Sequence, residues 1–348
     1  MLALELDIDY ATRVLLDLLA TPSPTGFTHK ALAKVESYLL ELGIVAQRTP
    51  KGALIWTLPG EKKEAKAVIS HIDTLGAMVK EIKEKGRLRL SRVGGYDWAS
   101  IEGAACVLHT FEGKEITATV LNTKQSTHVF GPELPKLERN DQTMELRLDA
   151  EVSSCKDVKA LGVDVGNFVS FDSQPCLTET GFIKGRHLDN KASVAISLVV
   201  TKALLTADIR PSHDTHFFIS NYEEVGHGAA AGIPEGTTEL LCLDMAAVGE
   251  GQASDEYSVT LCVKDTSGPY DYQMNAELRD LARHSGISLK SDIYNYYGSD
   301  ASAAWRAGGS YRAALIGPGV DASHAYERTH QKAIEATAKL LMAYLTSN

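Results

Sequence analysis

The sequence predicts an α/β protein whose α/β domain is interrupted by an inserted β domain. Three observations predict it. Apolar runs of strand length alternate with helical patterns before residue 76 and again after Gly185. Between about 76 and 180, helical spacing is nearly absent and short alternating segments follow one another through turns. Resumption of the α/β rhythm beyond an all-β stretch indicates one domain split by another. Residues 1–75 and 181–348 are therefore expected to form one discontinuous α/β domain, and residues 76–180 a small β-barrel or sandwich.

In order, helices are expected around 8–20 and 28–42, separated by the turn-forming TPSPTGFT. The second stops at Gly43. AVISHID (67–73) reads as a strand ending in His71 and Asp73. Inside the insert, GRLRLSRVG, KEITATVLN, MELRLDAEV and VGNFVSFDS read as short strands. Beyond it come a long helix from LDNKASVAISLVVTKALL, strands HFFIS (216–220) and ELLCLDM (239–245), and a helix from QMNAELRDLARHSG. A helix over 299–306, a strand AALIGPG (313–319) and a final helix QKAIEATAKLLMAYL complete the pattern.

The balance of 35 basic against 45 acidic residues speaks against nucleic acid as a partner, since phosphate binding needs a basic surface. The five cysteines are scattered and form no C-x-x-C pair, which suits a reducing compartment and offers no thiolate zinc site. No basic leader precedes an apolar segment, and no run of about 18 apolar residues occurs. The expectation is a cytoplasmic protein without a membrane span.

Histidines and acids gather at the ends of the α/β strands: His71 and Asp73, Glu223 and Glu224, Asp244, and His324 beyond AALIGPG. Asp189 sits where the long helix begins. In open α/β sheets ligands bind beyond the carboxyl ends of the strands, so these scattered residues are expected to converge. Imidazoles and carboxylates without thiolates suit zinc, cobalt or manganese. Two histidines and three carboxylates exceed the needs of one catalytic zinc; they fit two ions about 3.5–4 Å apart sharing one carboxylate. Asp73 is placed to orient His71. One glutamate of the pair would be a ligand and the other a general base.

TPSPTG, SHIDTLGAMV, HLDNKASVA, EEVGHGA, CLDMA, YGSDASAAWRAGG and SHAYE, in that order, resemble the dinuclear-zinc aminopeptidases that include glutamyl aminopeptidase, the tetrahedral aminopeptidases and cellulase M-like proteins. The resemblance implies an α/β/α catalytic domain with a mixed central sheet and an inserted barrel-like domain serving oligomerisation or substrate access. It implies two divalent ions, zinc foremost, with His71, Asp189 (bridging), Glu224, Asp244 and His324 as ligands. It makes Glu223 the general base and Asp73 the acid that orients the first histidine. The implied activity is removal of N-terminal residues from short peptides by a hydroxide held between the ions. The implied assembly is a homo-oligomer, dimer-based and up to a tetrahedral dodecamer.

DTSGPYDYQM, YNYYGSDASAAW and GVDASHAYERTH further resemble a branch of peptidase-like hydrolases associated with the osmolyte N-acetylglutaminylglutamine amide. That implies an alternative, a deacylase or amidohydrolase of an N-acylated or amidated dipeptide. A non-catalytic metal-binding scaffold is the alternative of another class. A metal-free glycosidase is disfavoured, because its carboxylate pair works without ions. The chain departs from the family at His227, at Asn190-Lys191 and in MAAVGEG, which bears on the substrate-binding wall. His227 and His187, next to site residues, are candidate substrate-side residues, and Asp300 is either a helix cap or an acid lining the pocket. His330 is a rival to His324, which is preferred because it follows the strand more closely.

Overall fold

The computed structural model describes residues 5–347. Its centre is a ten-stranded mixed sheet. Four strands at its heart are parallel, in the order His213–Ser220, Lys62–His71, Thr237–Leu243 and Arg312–Val320. Leu54–Leu58 flanks them antiparallel on one side and Val259–Asp265 on the other.

The central strands are apolar almost throughout because both faces are covered. Val68, Phe217, Leu241 and Ile316 join a core with the helices Ile8–Leu19, Leu188–Thr206, Tyr272–His284 and Gln331–Thr346. Their strand neighbours Ile69, Phe218, Cys242 and Leu315 point the other way, toward Ala229, Ala301 and Ala304. Each fully buried Leu, Ile or Phe contributes about 1.5–3 kcal/mol of transfer free energy. A one-residue slip of any strand would exchange the two faces. Leu188–Thr206 is buried on nearly every side, as expected of a helix without a polar stripe. Ile8–Leu19 is amphipathic and begins at Asp7, whose carboxylate accepts the Tyr10 N–H at 2.8 Å.

The insert contains a closed six-stranded barrel. Its strands run Gly76–Ile82, Leu88–Val93, Met144–Leu148, Glu115–Asn122, Ala105–His109 and Phe168–Phe171 around the circle. Val79, Leu90, Leu108, Val120, Leu146 and Val169 fill it. Closure removes exposed strand edges. The chain leaves the barrel at Phe171; Cys176–Leu177 then pairs with Phe182–Gly185, which pairs with Glu327–His330. This small sheet joins the exit from the insert to a segment far along the chain.

Val259–Asp265 and its partner Leu289–Ile293 are strands the sequence pattern does not announce. Val259 to Val263 is a short apolar run ending in Lys264 and Asp265, and only pairing with Arg312–Val320 fixes it as sheet. Among the described residues no helix is long and apolar enough to cross a membrane.

Candidate metal centre

Parallel strands end on the same edge, and that edge carries the acids and histidines. His71 is the last residue of its strand and stands level with Ser220 next door. Asp244 follows Leu243 directly, its N–H bonded to the Ile316 carbonyl at 3.1 Å. A side chain on Gly317 would collide with the Asp244 backbone, so glycine is what lets these strand ends close up.

His71 Nε2 lies 3.2 Å from Asp189 Oδ1, 3.6 Å from Glu223 Oε2 and 3.8 Å from Asp244 Oδ1. The other oxygen of Asp189, Oδ2, lies 3.3 Å from His324 Nε2, which is 3.8 Å from Glu224 Oε2. The result is two nests sharing one carboxylate. In each, His71–Asp189–Asp244 or Asp189–Glu224–His324, the ligand atoms lie within 4.8 Å of one another and could hold a metal ion.

The imidazoles are oriented from behind. His71 Nδ1 donates to the Asp73 carbonyl oxygen at 3.0 Å, and His324 Nδ1 donates to the carbonyl of Gly95 in the insert. Both therefore turn Nε2 toward the nests. Asp73 orients His71 mainly through its carbonyl, because its carboxylate Oδ1 stands farther off, at 3.7 Å. That carboxylate accepts the N–H groups of Glu223 and Glu224, each at 3.2 Å, and the Thr25 hydroxyl at 2.6 Å.

This pins the glutamate turn. The strand ends at Ser220, Tyr222 takes a left-handed φ of 77°, and Glu223–Val225 forms one 3₁₀ turn. Strand alternation has stopped, so both glutamates face inward. His187 and His324 are left-handed too, at φ 72° and 63°. Such backbone at a non-glycine residue costs about 1–3 kcal/mol, and it clusters here at the centre.

His227 is exposed, stacks on Tyr222 with ring centres 5.2 Å apart, and bonds its N–H to the Tyr222 carbonyl at 3.1 Å. It thus closes the turn holding the glutamates. Asp300 is buried, one carboxylate oxygen accepting from the Ser220 hydroxyl and the other from Ala229 N–H at 2.7 Å. His187 is buried beside Phe171 of the barrel; burial, then Lys191 and Arg186, hold its pKa well below the ordinary value. Asn190 and Lys191 anchor backbone, donating to the carbonyls of Leu243 (2.8 Å) and Thr21 (2.7 Å).

Two contributors escape the sequence reading. Gly95 offers only a carbonyl, which no motif can signal. Glu327 is 1% exposed and accepts the N–H of both Asp189 and His324. Burial and the Asp189 carboxylate push Glu327 up to about 8. Its signal was its place in SHAYE, three residues after His324.

A model of the M42 glutamyl aminopeptidase family matches residues 52–340. The chain belongs to that family. It is 50% identical over 332 residues to the aminopeptidase-named protein YhfE of Bacillus subtilis (strain 168), covering 95% of this chain and 96% of that one. The TET aminopeptidase of the marine sediment archaeon Thaumarchaeota archaeon SCGC AB-539-E09 shares the fold with a TM-score of 0.87 at 17% identity, over 97% of this chain and 96% of that one. The TET1 peptidase of Pyrococcus horikoshii, which can assemble into a tetrahedron or a large octahedral shell, gives 0.86 at 20% identity, over 97% and 100%. As an M42 member the chain is a metallo-aminopeptidase-type hydrolase.

The donor set of this M42 centre fits divalent cations. Among the described residues, no lysine or arginine forms an ion pair with Asp189, Glu223, Glu224 or Asp244, and Glu224 Oε1 is buried without a hydrogen-bond partner. Without cations, burial raises Glu223, Glu224 and Asp244 well above the usual carboxylate range, and neighbouring acids add to it. Burial alone would depress His71 and His324. The surrounding carboxylates prevail, lifting His71 well above its ordinary value and His324 to about 11.

The metal-free fold therefore holds protons near neutral pH that metal must displace. Each proton displaced makes affinity rise about tenfold per pH unit. The gain in melting temperature on adding zinc to chelator-stripped protein should consequently be larger at pH 8.5 than at 6.5. Lys191, which burial lowers to about 7, itself makes the fold more stable as pH rises, because the unfolded chain holds the extra proton. It does so with and without metal, so it cancels in the difference. A gain that is flat or shrinks with pH would contradict the assignment.

Proposed function

We propose that the chain removes N-terminal residues from short peptides, with Asp189 shared between two divalent cations, zinc foremost. The observation that supports this most is the division of the Asp189 carboxylate, one oxygen toward His71 and the other toward His324. His71 and Asp244 would complete one ligand set, His324 and Glu224 the other. Bound there, the cations would supply an activated water at neutral pH and polarise the scissile carbonyl.

Glu223 belongs to neither nest, yet its Oε2 reaches within 3.6 Å of His71 Nε2. Its side chain is 14% exposed against 3% for Glu224, so Glu223 is the carboxylate open to a substrate. In this reading it takes the proton from the attacking water and returns it to the departing nitrogen. Asp73 holds both glutamates through their backbone, and Tyr222 and His227 close the turn.

The chain would work in the cytoplasm as a homo-oligomer, built from dimers and extending to a tetrahedral dodecamer. The M42 family and the assemblies named for its fold relatives support this.

The metal-loaded protein should be tested on free-amine peptides, their N-acetylated counterparts and N-acetylglutaminylglutamine amide. Release of the N-terminal residue from free-amine peptides is expected. Turnover confined to N-blocked or amidated compounds would replace the aminopeptidase reading with the deacylase or amidohydrolase one.

A further inference from the structure

We propose that Glu327 is a positioning residue that sets the spacing between the two halves of the metal centre. The inference rests on the dinuclear reading above and concerns a residue that lies in neither nest. Glu327 Oε2 accepts the Asp189 N–H at 3.1 Å, and Oε1 accepts the His324 N–H at 3.0 Å. One rigid carboxylate therefore ties the backbone of the shared acid to that of the second histidine.

The tie has work to do. Asp189 lies two residues beyond the left-handed His187, and its own ψ of 103° breaks the first turn of Leu188–Thr206. His324 is left-handed itself, and its side chain is 38% exposed. Neither backbone is held at that point by a regular ladder. Glu327 is, because it opens the strand Glu327–His330 and stands opposite Gly185 of the adjacent strand. The small sheet thus acts as the fixed frame, and the carboxylate transfers its position to both ligands.

A packing role alone would not call for an acid here. Glu327 is buried beside Asp189, where a second carboxylate is repelled. What the ionised carboxylate offers is two acceptors of equal kind for two N–H donors. Glutamine keeps one acceptor and turns the other position into a donor facing an N–H.

The test is equilibrium dialysis of metal-free wild type and Glu327→Gln against zinc, with bound metal counted by mass spectrometry. A cobalt(II) titration followed by visible absorption reports ligand geometry independently of activity. Wild type should take up two ions per chain. The variant should keep the first and bind the second about 10- to 100-fold more weakly, the range for loss of an outer hydrogen-bond partner. Excess metal should then restore its kcat without changing KM, which a merely structural defect would not allow.

Two equally tight ions in Glu327→Gln would overturn the inference while leaving the dinuclear reading intact. Fewer than two ions in wild type would defeat that reading, and the inference with it. Should Glu327→Gln fail to fold, Glu327→Asp keeps both acceptors but withdraws them by one methylene. It should show a smaller weakening of the second ion, and unchanged binding would again overturn the proposal.

Discussion

Glu223→Gln is expected to keep both metal ions and to lose about 10²- to 10⁴-fold in kcat, or about 3–5 kcal/mol of barrier. The expectation follows from its position. Its carboxylate is outside both nests, so an amide there removes the proton acceptor without removing a ligand. The turn should survive, because Asp73 holds residue 223 by its backbone N–H and the substitution leaves that donor in place. Metal content by mass spectrometry and kcat on an accepted peptide check the two halves separately. A Glu223→Gln protein turning over at near wild-type rate would end its assignment as the base. The same change at Glu224 should act differently, weakening the ion on the His324 side, because Glu224 belongs to that nest.

Asp189→Asn should be the most damaging single substitution for metal binding, since one side chain serves both nests. Asparagine keeps the size and one acceptor, but it cannot present two anionic oxygens to two cations. Binding of both ions together should be lost and turnover should fall to background. An ion present at about 1,000 times its dissociation constant stabilises the fold by about 4 kcal/mol. Wild type should show that gain for each ion when zinc is added, whereas the variant should retain at most the gain from one. Thermal denaturation with zinc and with chelator measures it. A variant stabilised as much as wild type would show that Asp189 is not shared.

Much of this was legible before the fold was seen, for a physical reason. Parallel strands buried on both faces must read as apolar runs, so AVISHID, HFFIS and ELLCLDM declare themselves, and their ends declare the site. His71 and Asp244 needed no more than that. Asp189 needed the helix that follows it, and His324 needed the strand before it. Contacts that depend on backbone were not legible. Asp73 reads as an orienting carboxylate, yet in the fold its carbonyl orients His71 and its carboxylate grips two amides. Asp300 reads as a cap or pocket acid; the cap is Ser299, and Asp300 serves Ser220 and Ala229. His330, a nearby rival to His324, caps the last helix instead. Glu327 sits beside an arginine in a polar stretch, and the pairing with Gly185 carries it inside.

The centre draws its donors from residue 71 to residue 324, with Glu327 just beyond. Translation delivers a chain from its N-terminus at about 5–20 residues per second, and early segments fold first. His71 and Asp73 are therefore synthesised long before the second imidazole exists. In the proposed dinuclear reading, no emerging portion of the chain, however well folded, can hold both ions until the segment carrying His324 has docked against Gly95 of the insert. A hydrolase so arranged would be silent while it is being made, and uptake of the second ion would mark the end of its folding.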